Sequence, residues 1–395
     1  MTTSPFKKSI LFLSLFAAAV TVAVIDIYLP AAPYLAYFFN VDFKVIQFSL
    51  SLSPFVGAFS GLFYGYYSDA VGRRRPFIFG SLLLILGSIL CAFSNNIYFF
   101  LIGRLIQSIG SGGVSVLSVC LLNDHFQGPN YRRYISIYGM IFPIVFAIAP
   151  LIGAYLLKYF GWRSNFIFLT WLSVILLFLV CFWLKEHGFK HIIPSSTKKI
   201  KQQLLSFMGN RNFLTYGLAH SLPVVTSIVL VASSSFLLIQ VYGYSPICYS
   251  YVNFVWSVFN LIGSVLFFYF VKRVPSTTCL RYALYSQIVS VFFFGIFAVC
   301  HIHHPAIITV GVMFLQLSMS TSISTCFKKS IDSVSHIHTG FATSLLSFSR
   351  NLIVSLVMIQ ISFLINTSFR PIFFECMIFI LVNIFLCRHY LKKEA

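Results

Sequence analysis

Long apolar runs separated by short polar breaks cover almost the whole chain. A helix that crosses a bilayer takes roughly 20 apolar residues. Twelve runs meet that length, at about 9–38, 45–67, 77–94, 98–122, 134–157, 164–184, 212–239, 248–270, 281–300, 306–327, 339–364 and 371–391. The pattern predicts an all-α polytopic membrane protein with twelve transmembrane helices. The largest interior break, 185–211, is basic and polar and carries a Pro-Ser-Ser turn. It separates an N-terminal six-helix half, 1–184, from a C-terminal six-helix half, 212–395. Two halves of nearly equal length are a repeat signature of secondary transporters.

Composition agrees with that reading and charge orients it. The 395 residues are 58% hydrophobic and 9% charged, outside the range of soluble globular domains. The formal charge of +19 raises the question of nucleic acid, and its distribution answers it. With the N-terminus in the cytoplasm, 21 of the 27 Lys and Arg fall in cytoplasmic segments, four fall outside and two fall within spans. This is the positive-inside asymmetry of a membrane protein, so no nucleic-acid partner is expected and membrane lipid is. Both termini and the 185–211 linker are expected in the cytoplasm. The nine Cys are scattered without a CxxC pair and read as small apolar residues. Lys7 and Lys8 before an apolar run look like a signal peptide. The run is too long for one and is read as a retained first span.

Within this apolar background the polar residues inside spans carry the functional signal. Asp26 is the one acid near a span centre, in the stretch AVIDIYLPAAP from Ala23 to Pro33. Pro30 has no N–H to give the Asp26 carbonyl, so the helix is weakened next to the acid. A carboxylate inside a span is costly and is a functional hypothesis by default. If protons drive transport, Asp26 is the expected carrier. Arg104, about six residues into span 4, is its expected partner, and Gln107 shares that helical face. Glu375 lies about one turn into span 12 and reads as interfacial. Weaker candidates for substrate contact are Tyr28, Gln107, His220, Asn253, Asn260 and Arg350. For each of these, packing or interhelical hydrogen bonding competes with a binding role. Span 4 contains Gly110 to Gly113, and span 5 contains Pro150 and Gly153. The pairs Ala149/Gly153 and Pro150/Ala154 are spaced for close helix packing in lipid. His301, His303 and His304 have no nearby acid, so no metal site is expected.

Between spans 2 and 3 the chain reads Gly65-Tyr-Tyr-Ser-Asp69-Ala-Val-Gly72-Arg73-Arg74-Arg75-Pro76. This resembles the signature loop of the major facilitator superfamily. IDIYLPAAP at 25–33, Arg104 with Gln107 followed by LND at 122–124, and IAPLIGAYL at 148–156 resemble the Bcr/CflA-type drug-resistance subgroup. Three positions depart from the pattern: Ser108, Ala149 and Ala154 stand where the subgroup has glycine. The resemblance implies the major facilitator fold, in a bacterial inner membrane. It also implies a drug:proton antiporter without cofactor, energised by the proton gradient. Gly65, Asp69, Gly72, Arg73 and Arg74 would then form a latch for one of two conformations, Asp69 pairing with the arginines after the turn at Gly72.

The expected function is proton-coupled export of small amphipathic molecules. A monomer is expected, with a small-molecule substrate. Export of one native metabolite such as a siderophore, and proton-coupled nutrient uptake, use the same parts. A polytopic membrane enzyme would need a His or acid pair near one interface, for which only His336 and His338 beside Asp332 qualify. The sequence has no Walker loop, nucleophile elbow or HExxH motif, so a transporter rather than an enzyme or ATP-driven pump is expected.

Overall fold

The computed structural model describes residues 5–184, 207–271, 273–299, 305–334, 339–364 and 370–393. Among these, thirteen long or medium helices account for twelve spans. In chain order they are α1 (Pro5–Asp26), α2 (Ala32–Phe39), α3 (Phe43–Val71), α4 (Arg74–Ala92), α5 (Ile97–His125), α6 (Gly128–Phe160) and α7 (Arg163–Trp183). The second half holds α8 (Arg211–Phe236), α9 (Pro246–Phe270), α10 (Ser276–Val299), α11 (Pro305–Asp332), α12 (Thr339–Leu364) and α13 (Arg370–Lys393). The first span is the one made of two helices, α1 and α2, joined by a 3₁₀ turn at Leu29–Ala31.

The apolar runs locate the spans but understate their length. α3 continues four residues past the apolar run to Val71, and α11 continues five past it to Asp332. A helix that satisfies its own backbone has no reason to stop where lipid stops, and its end is set by a capping residue instead. Gly72 supplies that cap for α3, with φ +89°. Consequently Gly65 and Asp69 sit within the last turns of α3, and the connection to α4 is reduced to Gly72 and Arg73.

The contacts divide the chain into two compact units. One holds residues 1–194 with Ser245–Ser250, the other 195–244 with 251–395. In the first, α5 is the central helix and packs along α4, α3 and α1, while α7 packs on α4. In the second, α8 and α10 share that role, each packing on α11 and α13. Small residues permit close approach of helices in the first unit: a Cβ on Gly112 would lie 2.6 Å from the Gly57 Cα. Large apolar side chains such as Phe93, Phe182 and Phe292 are exposed on helix surfaces, as lipid-facing positions require.

Candidate functional site

The break in the first span is built by two prolines. α1 ends at Asp26, the Ala31 N–H bonds the Tyr28 carbonyl in the 3₁₀ turn, and α2 restarts at Ala32 with Pro33 in its first turn. The whole segment is inside the first unit: Ile27, Tyr28, Leu29 and Ala31 are all buried. Asp26 is 5% exposed, and its Oδ2 has no hydrogen-bond partner. An ionised carboxylate in that position has lost its water without gaining a donor, whereas a protonated one has given up much less.

Arg104 is fully buried, but it does not pair with Asp26. No ion pair joins the two. Its guanidinium donates instead to the Val24 carbonyl at 3.1 Å, to Ser53 Oγ at 2.7 Å and to Gln107 Oε1. It also lies over the Tyr28 ring, 4.5 Å from the centroid. The expected acid–base partnership is therefore replaced by a neutral cradle. Gln107 passes the network on by donating to Ser88 Oγ at 2.7 Å, and Ser53 meets Ser108 at 3.1 Å. Ser108, one of the departures from the subgroup pattern, thus supplies a hydroxyl inside this cluster. The network ties α1, α3, α4 and α5 together around the end of α1. Tyr28 and Gln107, both candidates for substrate contact, are sealed within it at 0% exposure.

α6 closes the other side of the break. Gly153 faces the Ile27 carbonyl so closely that a Cβ there would fall well inside contact distance of the oxygen. Asn165 Nδ2 reaches the same oxygen at 3.4 Å. Ile27 is the residue whose normal helical donor, the Ala31 N–H, has gone to Tyr28, so its carbonyl turns outward to these neighbours. Pro150 lies one turn earlier within α6, and its carbonyl accepts from Ser250 Oγ at 2.9 Å.

At the far end of α3 the latch residues do converge. Arg73 Nη1 lies 2.6 Å from Asp69 Oδ1, and Arg73 Nε donates to Asp124 Oδ2 at 2.8 Å. Arg73 also donates to Ser68 Oγ, while Arg74 reaches the Cys181 carbonyl at 3.2 Å. Burial disfavours the Arg73 charge, but the hydrogen bond to Asp124 and the charges of Asp124 and Asp69 outweigh it and raise its pKa. Sequence spacing finds Asp69, four residues from Arg73. It does not pair Arg73 with Asp124 of the LND stretch, which arrives from the end of α5. Gly65 is not a tight position: a Cβ there would meet Val116 at an ordinary 3.6 Å.

Two of the candidates in the second unit, Asn260 and His220, form interhelical hydrogen bonds. Asn260 donates to Gln316 Oε1 and Gln316 donates to Ser227 Oγ, each at 2.9 Å, joining α9, α11 and α8. His220 is 4% exposed, with Nδ1 3.1 Å from the Ile323 carbonyl and its ring against Phe327. Asn253 is 2% exposed. Arg350 is half-buried on α12, with Nε and Nη2 each 3.4 Å from Asn351 Oδ1. His301, His303, His304, His336 and His338 lie outside the described residues. Glu375 is half-buried on α13, and its Oε2 is enclosed without a partner.

Twelve long apolar helices enclosing these polar networks define a multi-pass α-helical membrane protein. The chain belongs to the Major Facilitator Superfamily, whose sequence profile matches residues 11–358. It is 26% identical over 338 residues to the MFS-type transporter YdgK of Bacillus subtilis, covering 84% of this chain and 83% of that one. It is 27% identical over 267 residues to a bicyclomycin resistance protein homolog of Haemophilus influenzae, 67% of each chain. The multidrug resistance protein MdtL of Escherichia coli matches at 28% over 220 residues, 56% of each chain. Among solved structures, a D-xylose-proton symporter superposes with TM-score 0.73 at 15% identity, covering 96% of this chain and 97% of that one. A bacterial homolog of the human lysosomal transporter Spinster gives 0.71 at 14%, covering 99% of both. The protein is a transporter of this superfamily, similar in sequence to members named for drug resistance.

Proposed function

We propose that this transporter exports small amphipathic molecules in exchange for protons, by alternating access, in a bacterial inner membrane. The observation that carries the reading is Asp26: a buried carboxylate with an unpartnered oxygen, at a break in a spanning helix. Such a group can hold a proton or release one with a small change of surroundings, and the broken helix supplies the means of change. Arg104 serves as a positioning residue. By holding the Val24 carbonyl it fixes the last turn of α1 on which Asp26 sits. The drug-resistance names of two relatives support export of amphipathic compounds. The proton gradient is the energy source, without a bound cofactor, and one chain suffices.

The direct test uses purified protein in sealed vesicles with an imposed pH gradient and a fluorescent amphipathic dye. Dye should move against its own gradient, with a matching proton flux in the opposite direction. Dye movement that ignores the pH gradient would remove the coupling.

Orientation follows from the basic residues. Single cysteines placed next to Lys44 and Arg370 should react with an impermeant thiol reagent added outside intact cells. A cysteine at Lys198 should react only after the cells are opened. Outside reactivity at 198 would invert or recount the spans.

The Arg73 cluster sets a ranking. Asp124 is the less exposed partner, with 26% of its side chain accessible against 48% for Asp69. A charge-assisted hydrogen bond of that kind contributes about 1.5–3 kcal/mol, while a surface ion pair contributes about 1 kcal/mol or less. Both Asp124→Asn and Asp69→Asn should leave the protein folded and slow turnover, with the larger slowing at Asp124. A larger effect at Asp69, measured as initial transport rate in vesicles, would show that α3 alone holds Arg73.

A further inference from the structure

Near one end of the second unit two thiols meet. The sulfurs of Cys326 and Cys387 are 3.7 Å apart, in residues 3% and 1% exposed. Each residue sits six positions before the end of its helix, α11 ending at Asp332 and α13 at Lys393. Both helices pack on α8 and α10, and Ala219, Leu280 and Leu284 of those two complete the apolar cluster around the sulfurs. The same end of the unit holds a weak point in α8. Pro223 stands inside that helix and has no N–H for the Ala219 carbonyl four residues earlier. Asn383 of α13 supplies the missing donor, its Nδ2 reaching that carbonyl at 2.7 Å. One turn further along α13 the Cys387 thiol donates to Asn383 Oδ1 at 3.9 Å. From the other side the Ile323 carbonyl of α11, three residues before Cys326, lies 3.1 Å from Nδ1 of His220, the residue after Ala219. The α8 break is therefore held by the two helices that carry the thiols.

We propose that Cys326 and Cys387 form a redox site, a dithiol that a hydroperoxide converts to a disulfide, and that the cross-link loosens the α8 break. One sulfur attacks the O–O bond of hydrogen peroxide, giving a sulfenic acid and a water. The second sulfur displaces another water from the sulfenic acid. Two S–H bonds and the O–O bond are lost, one S–S bond forms, and two waters leave. Hydrogen peroxide is small and uncharged, as entry to an apolar cluster requires, and the disulfide leaves no charge there. A metal ion suits the place less well. Two sulfurs fall short of the four donors of a closed thiolate site, and no third Cys, His, Asp or Glu joins them among the described residues. Disulfide sulfurs are about 2.05 Å apart, so α11 and α13 must close by roughly 1.7 Å. The Asn383 bond tolerates little of that: from 2.7 Å, a shift of about 0.8 Å reaches the limit of an N–H···O hydrogen bond. The cross-link also removes the S–H that Cys387 gives to Asn383. This inference goes beyond the export reading and depends on neither the transported molecule nor proton coupling.

The test treats the unmodified chain in nanodiscs with hydrogen peroxide, then caps the remaining thiols with an alkylating reagent. Peptide mass spectrometry should find 326 joined to 387, with the link lost after dithiothreitol. Amide hydrogen exchange over 213–222, followed on the same samples, should speed up by about two- to tenfold, the equivalent of one ordinary hydrogen bond, and slow again on reduction. Cys326→Ser should show no change in exchange with peroxide, which separates this pair from oxidation at the other cysteines. Asn383→Leu should exchange fast before any oxidant is added and gain little from it. Thiols still free at 326 and 387 after a dose that fully oxidises the exposed Cys181 would overturn the proposal. So would a link that leaves exchange over 213–222 unchanged.

Discussion

Asp26→Asn should abolish uphill transport and leave the fold intact. The substitution keeps the shape of the protonated carboxyl and removes the charge that burial penalises. Because Asp26 Oδ2 accepts no hydrogen bond and no ion pair among the described residues holds the carboxylate, unfolding resistance should be equal to or above that of the parent. Function should separate into two parts. One proton exchanged per neutral substrate supports about tenfold accumulation across one pH unit, since a unit of pH is 1.36 kcal/mol. The parent should approach that ratio in vesicles, and the Asn variant should stop at equal concentrations on both sides. Downhill exchange of preloaded substrate should persist, because rearrangement of the helices does not itself require the carboxylate. Full accumulation by the Asn variant would move coupling elsewhere, with Glu375 next in line as the other acid among the described residues that holds an enclosed, unpartnered oxygen.

The two arginines at the centre of this argument show what can be read from a chain and what cannot. Arg73 and Asp69 are four residues apart, and a local rule suffices to pair them. Asp124 joins them across 51 residues, a contact that only the packing of α5 beside α3 creates. Arg104 was expected to seek the one acid near a span centre. In the folded chain its two terminal nitrogens bond a carbonyl two residues from that acid and uncharged side chains, Ser53 and Gln107, while Nε stays buried without a partner. Neutral partners are invisible to a search for opposite charges. Serines occur throughout the chain, and nothing in the sequence marks Ser53 and Ser88 as the ones that face this cluster. The break at Pro30, by contrast, is legible because it rests on backbone chemistry alone.

Glycines divide in the same way, and they yield the second large effect. Gly65 belongs to the signature motif, and Gly153 to the helix-packing motif of span 5. The structure separates the two. At Gly65 the nearest atom to an added Cβ is Val116 Cγ1, at ordinary contact distance, and the backbone is helical. Gly65→Ala should be neutral or stabilising by up to about 1 kcal/mol, the helix-propensity difference between the two residues. At Gly153 an added methyl group runs into the carbonyl of Ile27, a backbone atom with no rotamer to yield. α6 must then move away from the break, which weakens the reach of Asn165 to the same carbonyl. Overpacking of a well-fitted interface commonly destabilises by about 1–3 kcal/mol, and a clash between two backbones belongs at or above the upper end. Gly153→Ala should therefore lower the unfolding midpoint in detergent while Gly65→Ala does not. Because Ile27 follows Asp26 directly, whatever Gly153→Ala protein remains folded should also transport less per molecule. A Gly153→Ala protein as stable and active as the parent would mean that α6 has room to yield, and that the close approach at Ile27 is not required to hold the break beside Asp26.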